Sequence, residues 1–155
     1  MPRGRAHLAF ELGTLPGWVA IGATLHVGRT SLVIFTGAYT VASLFLSPDL
    51  DLARSDPARR WRGARFLWRP YAALFRHRGM SHSPLLGPLT RILYLAAIGA
   101  GLWFVLREVV GLPSLQPVTW HLALPVLAGL YLPHLLHVVL DRAVSLGRRA
   151  GLHRG

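Results

Sequence analysis

The sequence predicts an all-α protein, a four-helix transmembrane bundle with a cytoplasmic central loop that contains one or two short amphipathic helices. Three observations predict it. Hydrophobic residues make up 52% of the chain and charged residues only 15%, where a soluble domain carries about a quarter charged residues. Charge missing from a surface points to lipid covering part of that surface. Apolar stretches run roughly over 8–28, 31–46, 84–106 and 118–140. The arginines, finally, collect on one side of the topology that these stretches define. At 155 residues, the chain 1–155 reads as one membrane-embedded domain.

Each element follows in order. The first stretch is long enough for a span, but it contains Glu11 and His26. Arg3 and Arg5 precede it, yet Glu11 and Pro16-Gly17 interrupt the apolar run and no small-x-small site follows, so a cleaved signal peptide is not expected. The second, Ser31 to Leu46, is short, and its Gly, Ala, Ser and Thr suit close helix packing in a thin span. The third and fourth meet the length of about 20 apolar residues that a bilayer requires.

Arginines 54, 59, 60, 62, 65, 69, 76 and 78 lie between the second and third stretches, and Arg142, Arg148, Arg149 and Arg154 follow the fourth. The other two connections carry only Arg29 and the Arg107/Glu108 pair. A multi-pass protein of the bacterial inner membrane, with both termini and loop 47–83 in the cytoplasm, satisfies the positive-inside rule. Arg91, one or two turns into the third stretch, could snorkel back to the headgroups. Within the loop, Trp61, Ala64, Trp68, Tyr71 and Phe75 recur at near-helical spacing among arginines. They predict basic amphipathic helices broken before Pro70 and laid on the membrane face. A solvated loop with its aromatics packed on the domain is the alternative.

The net charge is +11 and all 17 basic residues are arginine. Such a balance favours anionic partners: membrane lipid, an anionic headgroup or a phosphoester substrate. Nucleic acid is disfavoured, because no base-reading motif accompanies the arginines. The chain has no cysteine, which excludes disulfides, zinc fingers and iron–sulfur centres.

Ligand-type side chains cluster. Three of the six carboxylates and four of the eight histidines lie in SPDLD (47–51), HRGMSHS (77–83) and HLLHVVLD (134–141). Buried carboxylate is costly unless its charge is compensated, and a divalent metal is the simplest compensation. Asp49 and Asp51, two apart after Pro48, project to one side of an extended segment. The plainer reading is a helix start, with Ser47 as cap and Pro48 in the first turn. His77 and His82 flank a glycine turn, and Arg78 and Ser81 offer donors to phosphate oxygens. His137 and Asp141, four apart on a predicted helix, share a face that also includes His134. His7 lies at the mouth of the first stretch on the same predicted side. The candidate metal ligands are therefore His7, Asp49, Asp51, His77, His82, His137 and Asp141. Asp51 is also the candidate general base, and Arg78 and Ser81 are the candidate substrate-binding residues. His26, His121 and His153 read as structural or incidental.

SPDLDL, RWRGARFLWRPY and HRGMSHSPLLGPLTRILYL together resemble an uncharacterised bacterial family of metal-binding membrane proteins. The likeness covers about 47–95, with weaker extensions to GRAH at 4–7 and HVVLD at 137–141. The Pro-Asp-x-Asp, His-Arg-x-x-x-His-Ser and His-x-x-x-Asp pattern is more broadly similar to the LexA-regulated, membrane-bound metal-dependent hydrolases. The order His7, Asp49, His82, His137-xxx-Asp141 is distantly similar to zinc-dependent phospholipase C, but the further downstream His-xxx-Glu pair of that group is missing here. These resemblances imply metal binding and, through the broader family, metal-dependent hydrolysis. Nitrogen and oxygen donors without thiolates suit zinc or manganese. The expectation is a hydrolase acting on a phosphoester near the membrane surface. A non-catalytic membrane protein with a structural or transport metal site competes with it, as does a soluble helical domain with an unusually apolar core.

Overall fold

The computed structural model of the chain describes residues 4–51, 55–75, 83–114, 119–149 and 151, without the side chains of Asp51, Arg148 and Arg149. All described secondary structure is helical. The α-helices are α1 (Gly4–Thr24), α2 (Arg29–Phe45), α3 (Asp56–Arg60), α4 (Trp68–Leu74), α5 (Leu86–Val110) and α6 (Trp120–Arg149). Short 3-10 turns cover Pro48–Asp51 and Arg62–Leu67.

The all-α expectation agrees with this; the four-helix transmembrane bundle does not. Among the described residues only α5 and the Trp120–Gly147 portion of α6 are long and apolar enough to cross a membrane. The first predicted span fails because His7, Glu11 and the helix-interior Pro16 dilute its apolar length. The second fails on length. The 17 residues of α2 extend about 26 Å at 1.5 Å per residue, short of the ~30 Å hydrocarbon layer.

Helix α2 packs chiefly against α6, and α1 lies against both. Gly129 permits the close approach: a Cβ there would sit 2.7 Å from the Phe35 carbonyl oxygen and 2.9 Å from the Tyr39 nitrogen. One turn later Pro133 cannot donate to the carbonyl of residue 129, which loosens α6 where α2 crosses it. Tyr39, fully buried between the helices, donates to the Glu11 carbonyl at 2.8 Å and contacts Thr14 Oγ1 at 3.0 Å. Helix α5 touches α6 sparsely, so Leu93, Leu102, Phe104, Val105 and Val109 stay exposed. Gly111 ends α5 in a left-handed cap, φ 73°, with its N–H on the Arg107 carbonyl at 2.9 Å.

The central segment makes its own core. Leu50, Ala58, Trp68 and Tyr71 are buried together, with Trp61, Phe75 and Tyr94 packed around them. Ring pairs stand 5.2 Å (Trp61–Trp68), 5.6 Å (Trp68–Tyr71) and 5.5 Å (Tyr71–Tyr94) apart. Tyr94 donates to the Leu67 carbonyl, and Tyr71 Oη lies 3.0 Å from Thr90 Oγ1. These aromatics therefore pack on the domain and are not laid out on lipid. The break also falls at residues 61–67 rather than before Pro70, which sits in the first turn of α4, where a missing N–H costs nothing.

Candidate metal centre

The last carbonyls of α2 would be left unsatisfied by the helix itself. Three side chains from later in the chain take them up. Arg60 Nη1 donates to Leu44 O at 2.8 Å, Trp61 Nε1 to Phe45 O at 2.9 Å and Arg91 Nη1 to Leu46 O at 3.1 Å. Two of these donors are cationic, which suits the negative end of a helix dipole. Arg91 is thus 1% exposed and does not snorkel. The clamp fixes where α2 ends and the Pro48–Asp51 turn begins, which sets Asp49 against α1 and α6.

Spacing of four places His7 and Glu11 on one face of α1, and His137 and Asp141 on one face of α6. His7, Glu11 and His137 are 4%, 2% and 1% exposed. The imidazoles of His7 and His137 stack with centroids 3.9 Å apart and an interplanar angle of 17°. His7, His137 and Asp141 each offer one ligand atom, and these atoms lie within 4.8 Å of one another. Asp141 Oδ1 is 3.2 Å from His7 Nε2, and Asp141 Oδ2 is 3.9 Å from His137 Nε2. Asp49 Oδ2 approaches His137 Nε2 at 3.8 Å. The cavity bounded by His7, Glu11, Ser43, Ser47, Asp49 and His137 has a volume of about 10 Å³, room for one small ion or water.

The donor set fits a divalent cation. Two imidazoles and one or two carboxylates are hard-to-borderline N and O ligands, and ligand spacings of this order suit bonds of ~2.0–2.2 Å to a common centre. Among the described residues, buried Asp141 Oδ1 has His7 Nε2 beside it at 3.2 Å. Such an atom pays for its burial only if a charge is supplied. Glu11 completes the arrangement. Its Oε1 accepts from His137 Nδ1 at 3.0 Å, which places the proton on Nδ1 and leaves Nε2 to face Asp49 and Asp141. A carboxylate behind a ligating histidine sets its tautomer and raises its basicity.

Electrostatics agree with that assignment. Burial lowers the His7 pKa from its ordinary value, the neighbouring His137 lowers it further, and Asp141 and Asp49 act in the opposite sense. His7 is therefore neutral, the form that binds metal, at neutral pH. Burial raises the Glu11 pKa, and the hydrogen bond from His137 partly offsets this.

The structure thus brings together His7, Asp49, His137 and Asp141 from the residues predicted as ligands. His77, Arg78, Ser81 and His82 lie outside the described residues. Asp51 ends the 3-10 turn, and its side chain also lies outside them. His134, on the α6 face with His137, turns to other work: its Nδ1 is 3.1 Å from Arg91 Nη1 and its Nε2 is 3.0 Å from Ser83 O. It thereby ties α6 to the residue that follows the HRGMSH segment. Sequence reasoning misses Glu11, which reads there as an interruption of an apolar run. The available signal was its position four residues after His7 in an otherwise apolar run.

Comparison with known proteins adds three findings. A family model described as uncharacterised metal-binding protein (DUF2227) matches residues 2–150. An uncharacterised protein of Aquifex aeolicus (strain VF5) is 49% identical over 57 residues, 37% of this chain and 40% of that protein, so the match spans less than half of either. No solved structure matches.

Proposed function

Since this chain belongs to the family of uncharacterised metal-binding proteins, we propose that it is a membrane-associated, metal-dependent hydrolase that acts on a phosphoester near the membrane surface. The observation that carries the reading is the convergence of His7, His137 and Asp141, with Asp49 beside them and Glu11 behind His137. When bound, a divalent cation, zinc or manganese by donor type, supplies Lewis acidity to the attacked group. His7, His137 and Asp141 hold it, and Asp49 completes the set from the α2 turn. Glu11 keeps the His137 proton on Nδ1 and the ring in place. Asp51 is the proposed general base, His77 and His82 are further ligands, and Arg78 and Ser81 bind phosphoryl oxygens; these roles rest on the sequence pattern and its likeness to metal-dependent hydrolases.

The membrane part of the reading is supported by α5 and α6. Both are long and apolar enough to span, and α5 leaves its apolar side chains exposed. Arginines precede α5 and follow α6, while none occurs in 111–119. A hairpin of two spans with the metal centre, the arginine-rich segment and the C-terminus on the cytoplasmic side of the inner membrane fits this pattern. The nearby lipid headgroups and an anionic substrate are then the partners.

A structural clamp is the second reading, favoured by the depth of burial of His7 and His137 and by the 126 residues that separate Glu11 from His137. Elemental analysis of detergent-purified protein, paired with turnover of a chromogenic phosphoester before and after chelation, decides between them. Chelation that abolishes turnover supports the hydrolase. Bound metal with no turnover, and a melting temperature that collapses on chelation, supports the clamp.

A further inference from the structure

A second cleft opens beside the metal cavity, with a volume of about 530 Å³, lined by Arg5, Phe45, Asp56, Arg59, Arg60 and Arg62. Asp56 and Arg60 line the metal cavity as well, so the two spaces share a wall. Four arginines and one aspartate line the second cleft. Like charges gathered in a concavity repel, and they are relieved by an anion that several of them bind at once.

The cleft is built rather than incidental. Arg60 is fixed by its bond to the Leu44 carbonyl at 2.8 Å, which sets one fork-shaped donor at the shared wall. Arg59 and Arg60 sit in the last turn of α3, whose start is capped by Ser55. Arg62 holds a left-handed backbone, φ 47°, a conformation that is strained for a non-glycine residue and concentrates at functional positions. Arg5 comes from the first turn of α1, two residues before His7. Exposed Phe66 and Leu74 follow on the same segment, an apolar flank suited to a lipid surface.

We propose that this arginine cleft binds the phosphoryl group of a phosphoester, with Arg5, Arg59, Arg60 and Arg62 as its donors, next to the cation held by His7, His137 and Asp141. Its catalytic meaning rests on the hydrolase reading; the binding itself does not. Guanidinium forks match phosphoryl oxygens in pairs, whereas a carboxylate substrate would use fewer of them. The group arrives either on a lipid headgroup or on a soluble phosphate.

The test titrates the full chain in detergent with inorganic phosphate, then measures co-sedimentation with phosphatidylcholine vesicles with and without phosphatidic acid. The R59A/R62A double variant, whose residues are exposed at the end of α3 and the start of the following 3-10 turn, should bind phosphate at least ~10-fold more weakly with unchanged metal content. R107A, at the far end of α5, should bind as the parent does, and R62G, which relieves the left-handed backbone while removing the donor, should fall between. Loss of phosphate and phosphatidic acid binding together identifies a lipid headgroup; loss of phosphate binding alone identifies a soluble ester. Equal affinity in the double variant, or an equal loss in R107A, overturns the proposal. Metal present with no phosphate bound by the parent chain overturns the cleft and leaves the metal centre; phosphate bound with no metal in any preparation does the reverse.

Discussion

His137 Nδ1 donates to Glu11 Oε1 at 3.0 Å across 126 residues of sequence, with both side chains almost fully buried. The pair joins α1 to α6 and decides which nitrogen of His137 faces Asp49 and Asp141. A carboxylate that looks like a defect in an apolar helix is thus the group that holds the His137 ring of the candidate metal site.

Removal of one ligand should empty the site. His7→Ala, His137→Ala and Asp141→Ala should each bring metal content in purified protein close to zero, and Asp49→Ala should lower it. Full stoichiometry in both His137→Ala and Asp49→Ala would falsify the ligand assignment.

Glu11 should matter without being a ligand. Glu11→Gln keeps the shape but weakens acceptance from His137, and loss of such outer partners costs about 10–100-fold in metal affinity. Competition with a coloured chelator measures this, and an unchanged affinity would count against the orienting role.

Acidification should release the metal. Burial holds His7 below its ordinary value of 6.5, so occupancy should be flat around neutral pH and fall at mildly acidic pH, as protons compete for the imidazole nitrogens. The sign for the metal-free protein follows from the same shift. The unfolded chain takes up the His7 proton first, so this residue's contribution to stability is present above about pH 6.5 and is lost as pH falls through the lowered folded value. Glu11, whose pKa is raised by burial, acts oppositely: its unfavourable contribution at neutral pH is relieved as the carboxyl protonates. Equilibrium dialysis across that range checks occupancy, and a flat profile down to mildly acidic pH would argue for carboxylates alone.

The α2–α6 crossing should not tolerate a side chain at Gly129. With an added Cβ 2.7 Å from backbone oxygen and 2.8 Å from Ala38 Cβ, Gly129→Ala should destabilise by about 1–3 kcal/mol. Because Ser43 of α2 and His137 of α6 both line the cavity, metal affinity should fall with it. A thermal melt in detergent reads the first effect and chelator competition the second.

Helix positions were legible because local periodicity suffices for them. The four long helices begin within a few residues of the apolar stretches, and all but α6, which runs on to Arg149, end within a few residues of them; the i, i+4 spacing of His137 and Asp141 already implied a shared face. Span number was not legible. Mean apolarity does not reveal that Glu11 and His7 turn inward together, or that α2 stops where Arg60, Trp61 and Arg91 cap its carbonyls. The aromatics of 61–75 were ambiguous for a similar reason: Trp68 and Tyr71 suit a lipid boundary and a protein core equally, until Leu50, Ala58 and Tyr94 are found against them.

By itself the sequence determined an all-helical chain, rich in arginine and free of thiolate, in which any metal must be held by imidazole and carboxylate. Tertiary structure alone decided which of those groups meet, which nitrogen of His137 faces Glu11, and that Arg91 and His134 serve the fold. The physical reason is range. Helix formation depends on neighbours three and four residues away, whereas the candidate metal site gathers side chains from residues 7, 49, 137 and 141, and no local pattern encodes that convergence.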